Sequence, residues 1–323
     1  SDLFIYRPDG GLACVARSNG DGSFTQVYLS WGGIGGYDLL GSRDVAFPLD
    51  FDGNGKSGIF LFRPRGGMCA VIRSGTGVPD LLSRVDNGFG GVTTLTYTAS
   101  SAYANRHLPF VVHPVSAIEA HDGLAESPAA VTRFDYRGGH YDLAERQFRG
   151  FESITRTLPD GTAEVTAFHQ DTLLQGKTRH AESRESPVGA VLARTDFTWE
   201  ASQLRGGAAT FVRLARRLST VYDGGTLATE EAYVHDEETG NLLRTSTSGA
   251  GAESVVRTTA WRNFDTWLFR PVAETLEGSV SGKVRASAMD YESRTGNLKR
   301  RAAWLDGGTG PTTTFDYDAF GNP

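Results

Sequence analysis

The segment Ser1 to Arg17 (SDLFIYRPDGGLACVAR) returns as Ser57 to Arg73 (SGIFLFRPRGGMCAVIR), with the same Arg-Pro, the same Gly-Gly and the same apolar spacing. A repeat of this kind restricts the fold to stacked copies of one small unit, because a single unit cannot cover its own apolar surface. In each copy a short run, Leu3-Phe4-Ile5-Tyr6 or Ile59-Phe60-Leu61-Phe62, is broken by Pro8-Asp9-Gly10-Gly11 or Pro64-Arg65-Gly66-Gly67. The pattern predicts a strand, a tight turn and a second strand. Equal patterns are expected to bury equal faces, with Phe4 and Phe60 in equivalent environments.

The second copy is preceded by Asp50-Phe51-Asp52-Gly53-Asn54-Gly55-Lys56-Ser57-Gly58. Oxygen-bearing side chains at alternate positions around two glycines suit a hard cation, so Asp50, Asp52 and Asn54 are candidate Ca²⁺ ligands. The alternative is an Asx-stabilised turn built from the same residues. Leu61 stands where a helix-loop-helix calcium motif places its bidentate Glu, which excludes an EF-hand. These strand-loop units resemble FG-GAP (VCBS-type) repeats. The resemblance implies integrin-like β-propeller blades with Ca²⁺ loops between strands. Asp50, Asp52 and Asn54 match the ligand pattern, whereas Gly58 stands where such a loop carries another acid; in the first copy that register position holds Asp2.

Of the 323 residues 39% are hydrophobic, enough for a large core, and 40 Gly with 12 Pro punctuate many short strands. An all-β protein is expected. No apolar run reaches 18 residues, so no membrane-spanning helix is expected. A net charge of -6 argues against a general nucleic-acid surface, and Arg213, Arg216, Arg217 and Lys299, Arg300, Arg301 read as solvated faces. Cys14 aligns with Ala70 rather than with Cys69, so the two thiols point to opposite faces of equivalent strands and read as buried and free.

Three segments are expected: propeller-type repeats over 1–86, a connecting β segment over 87–130, and a curved antiparallel sheet over 131–323. Strands are expected at Val92–Tyr97, Phe110–Val115, Ser116–Ala120 and Val131–Tyr136. The third segment carries the phrases Arg146-Gln147-Phe148-Arg149-Gly150-Phe151-Glu152 and Phe168-His169-Gln170-Asp171. Then come His235–Leu242, Asp290–Leu298 and Phe315–Pro323, three variants of an aromatic-led strand, an acid and a Gly-Asn pair. Each reads as a strand entering a turn in which Gly supplies positive φ and Asn tolerates it. This wording resembles the YD (RHS) repeat, and the order of segments resembles the RHS-repeat toxins, particularly the B component of insecticidal toxin complexes and its SpvB-linked, mid-region relatives. The resemblance implies a spiralling β-sheet shell around a cytotoxic C-terminal passenger. The partners it implies are the rest of the toxin chain or complex, the passenger and a delivery subunit. The chain opens inside one repeat and stops inside another, so it is expected to be one piece of a longer protein, secreted or on the cell surface.

Chemistry is sparse. Seven histidines form no metal or catalytic spacing, and there is no GxSxG, Walker loop or dinucleotide fingerprint. Acid pairs such as Asp50/Asp52 and Asp316/Asp318 lie in loops, and no pair is singled out as a glycosidase would require. Trp31, Trp199, Trp261, Trp267 and Trp304 are read as filling the sheet or lining its seams. The expected function is a non-enzymatic structural shell. The alternatives are a Ca²⁺-dependent carbohydrate-binding adhesion module and a polysaccharide-degrading enzyme.

Overall fold

The computed structural model describes the chain except residues 1, 74–80, 125–126, 208, 250, 252, 265–267, 281, 283, 306, 308–309, 319 and 323; Trp267 and Pro323 thus lie outside the described residues. It is all-β, as the sequence predicts: the described elements are strands and two short 3-10 turns. The chain divides into two units, 1–131 and 132–323.

In the first unit, β1 (Leu3–Arg7), β2 (Leu12–Ser18) and β3 (Phe24–Ser30) form one antiparallel sheet. A second contains β4 (Val45–Leu49), β5 (Gly58–Phe62) and β6 (Cys69–Ile72). The repeated segments have the same pairing: Phe4 faces Val15 as Phe60 faces Val71, and Ile5 faces Cys14 as Leu61 faces Ala70. Phe4 stacks on Tyr6 at 5.6 Å and Phe60 on Phe62 at 6.3 Å.

Burial does not repeat. The core is Ala13, Ile34, Tyr37, Leu39 and Leu61, with Phe4, Tyr6 and Val15 packed on it from one sheet and Ile59, Ala70 and Ile72 from the other. These are opposite faces of the repeat: Leu61 is 0% exposed and its equivalent Ile5 is 51% exposed. The expectation that Phe4 and Phe60 share an environment is corrected, because two units stacked in the same sense must meet through opposite faces. The second sheet is left with an uncovered aromatic face, where Phe47, Phe51 and Phe62 surround Phe60. Cys69 lies exposed on that face and Cys14 is half-buried, so the reading of two buried thiols fails while both are free. The unit continues through β7 (Arg84–Asp86), β8 (Val92–Tyr97) and β9 (Val115–His121), paired in order. The strand expected at Phe110–Val115 starts only at Val115, because Pro109 and Pro114 cannot donate to a ladder.

A buried ion pair ties the connection between the two three-stranded sheets to the end of β5. Asp44, 4% exposed, accepts Arg63 Nε on Oδ1 and Arg63 Nη2 on Oδ2, each at 2.8 Å. The Tyr37 hydroxyl donates to Asp44 at 3.1 Å, the Gly41 amide at 3.0 Å, and Arg63 also meets Asp38.

The second unit is built from β10 (Ala130–Arg137), β11 (Tyr141–Asp142), β12 (Gln147–Phe148), β13 (Ser153–Thr157), β14 (Ala163–Phe168) and β15 (Thr178–Arg184). It continues with β16 (Val191–Leu204), β17 (Ala209–Tyr222), β18 (Thr226–His235), β19 (Leu242–Gly249) and β20 (Val255–Asn263). Last are β21 (Phe269–Gly278), β22 (Val284–Tyr291), β23 (Leu298–Leu305) and β24 (Thr312–Thr314). β11 and β12 make a separate hairpin; β10 pairs with β13, and from there every strand pairs antiparallel with its successor. The Gly-Asn turns are alike. Asp236 and Glu292 each take an Asn carbonyl on their amide (Asn241 at 2.8 Å, Asn297 at 2.9 Å), and Gly240 and Gly296 close the loop at φ 77° and 73°. The third phrase makes a shorter turn, with the Asp318 amide on the Asn322 carbonyl at 3.0 Å.

The Asp44 pair gives a pH signature. Hydrogen bonds from Arg63 outweigh burial and hold the Asp44 carboxyl below the usual range. Its contribution is therefore complete above the unfolded value of about 3.9 and is lost as pH falls through the lowered native value. Tyr37 is pushed up to about 12 by burial and by Asp44. Its contribution is complete below about 10 and is lost as pH rises toward the native value. Asp44→Asn is expected to cost about 2 kcal/mol near neutral pH and to flatten the acid limb of the stability profile, as read by urea unfolding at a series of pH values.

Candidate functional site

The sequence-predicted metal loop joins β4 to β5. Asp50 Oδ1 accepts the Asn54 amide at 3.1 Å and Oδ2 the Gly55 amide at 2.8 Å, while Asn54 Oδ1 accepts the Lys56 amide at 2.9 Å. Gly53 and Gly55 take positive φ, 63° and 80°. Gly55 also needs its missing Cβ, which would stand 2.5 Å from the His113 ring. The loop is held by the segment before β9: the Ser101 hydroxyl donates to the Gly53 carbonyl, and His113 Nε2 meets the Asn54 carbonyl. Asp50, Asp52 and Asn54 thus share one tight turn. Among the described residues no three His, Cys, Asp or Glu side chains come together as metal ligands.

The two specific phrases of the second unit prove to be one structure. Arg149 is 3% exposed, an unusual place for a guanidinium, which must then be paired. Its Nη1 donates to Gln175 Oε1 at 2.7 Å, and its Nη2 to Glu145 at 2.7 Å, Asp142 at 3.2 Å and Thr172 at 3.2 Å. Gln170 Nε2 donates to the carbonyls of Gly138 at 2.8 Å and Gly150 at 2.9 Å. Gly138 and Gly150, at φ 68° and 79°, let the chain enter and leave the β11–β12 hairpin. Phe151 packs on Tyr136 and edge-on to Phe148, with centroids 4.9 and 5.9 Å away. The hairpin is clamped to the turn between β14 and β15 by one cation and one amide. Sequence reasoning marked the wording but not the burial of Arg149; its one signal was an Arg between Phe148 and the Gly150-Phe151 pair.

Several charges on the sheet are paired strand to strand. Glu182, 7% exposed, lies opposite Arg194 and accepts from Arg194 and Arg184 at 2.8 Å. Burial raises its carboxyl, but those two cations outweigh it and hold it below the usual range. Arg217 lies opposite Glu231 and bonds it at 2.9 Å, and Arg216 bonds Glu230 at 2.7 Å. His180 and His235 are pushed down, burial first, and so held neutral. Aromatic rings close the seams. Trp199 Nε1 donates to the Thr178 carbonyl and Trp261 Nε1 to that of Leu242, both at 2.8 Å, and the Tyr317 hydroxyl to that of Leu298 at 3.0 Å. Among the described residues this unit buries few large apolar side chains. Its buried apolar residues, among those described, are Ala163, Ala167, Ala286 and Met289. Two-layer folding would bury rows of large side chains on one face, and among the described residues this sheet shows no such row.

Arg149→Met is expected to cost about 3 kcal/mol by leaving Asp142 and Glu145 without their cation. Hydrogen exchange should lose protection first over residues 138–152 and 168–177, with the ladder from β16 onward unchanged.

No curated protein sequence matches the chain. The family described as insecticide toxin TcdB, middle/N-terminal region, matches residues 42–182. Solved structures match far more broadly. TcdB2-TccC3 without its hypervariable C-terminal region is 11% identical with a TM-score of 0.73, covering 94% of this chain and 21% of that one. The Tc holotoxin pore of Photorhabdus luminescens, carrying a mutated TccC3, is 12% identical with the same TM-score and the same coverage. TcdB2-TccC3 itself is 12% identical at a TM-score of 0.71, covering 94% and 22%. The chain therefore spans about a fifth of the length of the solved chains it matches. Residues 42–182 match the family described as insecticide toxin TcdB, middle/N-terminal region, and 94% of the chain shares its fold with the TcdB2-TccC3 structures.

Proposed function

We propose that the chain is a structural segment of a Tc toxin complex, in which residues 132–323 form part of the wall of a β-sheet shell that encloses a toxic passenger before delivery. The observation that carries this reading is the long sequentially paired sheet with both faces short of large buried side chains. Such a sheet needs a lumen, a passenger or further subunits against it. The fold shared with TcdB2-TccC3 supports the same reading and makes a TccC-type subunit the natural partner. The two three-stranded sheets of the first unit serve as propeller-type blades, each meeting its neighbour through opposite faces of the repeat. The role is scaffolding rather than catalysis, in a complex that acts outside the cell producing it. No described helix is long and apolar enough to cross a membrane.

Protease protection tests the shell. The protein is co-expressed with a TccC-type subunit and digested with trypsin. The passenger should survive far longer than the same passenger alone; equal rates of digestion would defeat the proposal. Thr245→Pro, which removes a ladder hydrogen bond from the middle of β19, is expected to cost about 3 kcal/mol and to expose the passenger.

Two further proposals concern the first unit. Ca²⁺ bound by Asp50, Asp52 and Asn54 would be weak, because both Asp50 oxygens already accept amides and Gly58 replaces an acid. Calorimetric titration should give a Kd above the micromolar range, abolished by Asp50→Ala with Asp52→Ala. The adhesion reading rests on Trp31, whose 65% exposure suits a sugar-stacking ring. A glycan array is expected to show no saccharide-specific binding; specific binding lost in Trp31→Ala would favour adhesion over the shell.

A further inference from the structure

Arg257 of β20 lies opposite Leu276 of β21, which lies opposite Arg285 of β22. In the adjoining row Glu274 lies opposite Ser287 and Ser287 opposite Ala303, and Arg301 of β23 follows two positions before Ala303. Strand alternation places all these side chains on one face of the sheet. A cleft of about 220 Å³ opens there, lined by Arg257, Leu276, Arg285, Ser287, Arg301 and Glu274.

The charges in this cleft are unbalanced. Several arginines of the unit have an acid within 4 Å: Arg156 has Glu164, Arg194 has Glu182, Arg216 has Glu230, Arg217 has Glu231 and Arg300 has Asp290; others, such as Arg133 and Arg294, stand singly among the described residues, and what sets this cleft apart is three arginines gathered around one acid, Glu274. Among the described residues Arg257, Arg285 and Arg301 have no such partner. Arg257 and Arg285 stand two strands apart, about 10 Å between backbones, with only Leu276 between them. Both are exposed, so solvent and salt screen most of their mutual repulsion, and an anion between them would meet two cations at once.

We propose that this cleft receives an acidic side chain carried on a polypeptide segment. The carboxylate sits between the guanidinium groups of Arg257 and Arg285, with Arg301 and the Ser287 hydroxyl at its side, and its methylene stem lies on Leu276 and Ala303. The forks of Arg suit a carboxylate bidentately. The apolar floor favours an oxyanion on an aliphatic stem over bare phosphate, which would leave that floor wet. The proposal stands apart from the shell reading, since a passenger and a partner subunit are both polypeptides that present such side chains.

The test measures fluorescence anisotropy of the labelled peptide Gly-Glu-Gly-Glu-Gly with the full chain, beside its Gln counterpart and with inorganic phosphate as competitor. The Glu peptide should bind saturably, and about tenfold more weakly in about 0.5 M salt. Arg257→Gln with Arg285→Gln should weaken it at least about tenfold. Arg257→Lys with Arg285→Lys keeps the charge without the fork, so a smaller loss is expected, and this pair decides the matter if the Gln pair unfolds. Arg244→Gln, on the opposite face of the neighbouring strand β19, should change nothing. Equal binding of the Gln peptide, or unchanged binding in the folded double variants, would overturn the proposal. So would phosphate binding as tightly as the Glu peptide, which would make the site one for a free oxyanion.

Discussion

Backbone pairing between consecutive strands is the constraint on which the second unit rests. Each amide and carbonyl of an inner strand needs a partner, and from β13 onward the chain supplies it from the next strand rather than from a distant one. Among the described residues the unit goes into this ladder rather than into a covering layer. The consequences are visible in the side chains: small buried residues, cross-strand ion pairs such as Arg217–Glu231, and aromatic N–H or O–H groups spent on carbonyls at strand starts. The sheet is held together within its own plane. Among the described residues its faces bury few large apolar side chains.

The first unit solves the opposite problem. There two short sheets do bury a core, and the repeat that makes them is used asymmetrically, one copy through Phe4, Tyr6 and Val15 and the other through Ile59, Ala70 and Ile72. Apolar residues on both sides of each strand are the sequence expression of that geometry. A face of Phe47, Phe51, Phe60 and Phe62 remains uncovered and has the character of the core rather than of a surface. The loop carrying Asp50 belongs to this packing through His113 and Ser101 as much as to any ligand.

Much of this was legible in the sequence, for definite reasons. Turn chemistry is local, so Asp236 to Asn241 and Glu292 to Asn297 announce their conformation through Gly and Asn alone. Strand alternation and the copied hairpin are local too. What could not be read depends on partners far apart in the chain. Leu3-Phe4-Ile5-Tyr6 is apolar on both faces, so nothing in it says which face is covered. Asp44 and Arg63 are 19 residues apart, and Arg149 reads as a surface residue until Gln175 and Thr172 close over it. Arg257, Arg285 and Arg301 become neighbours only through the register of β20 to β23; Arg301, which stands beside Arg300 in sequence, faces away from it across the sheet.

Sequential pairing also decides the order in which this protein can form. A hairpin such as β18–β19 closes over a six-residue turn, so its contacts are local and each new strand finds its template already in place. As the chain leaves the ribosome the sheet can lengthen by one strand at a time, and at every moment it carries a growing edge ready to accept the next. A sheet made in this way is extended by addition at one edge, and strands already paired need not part to admit the next.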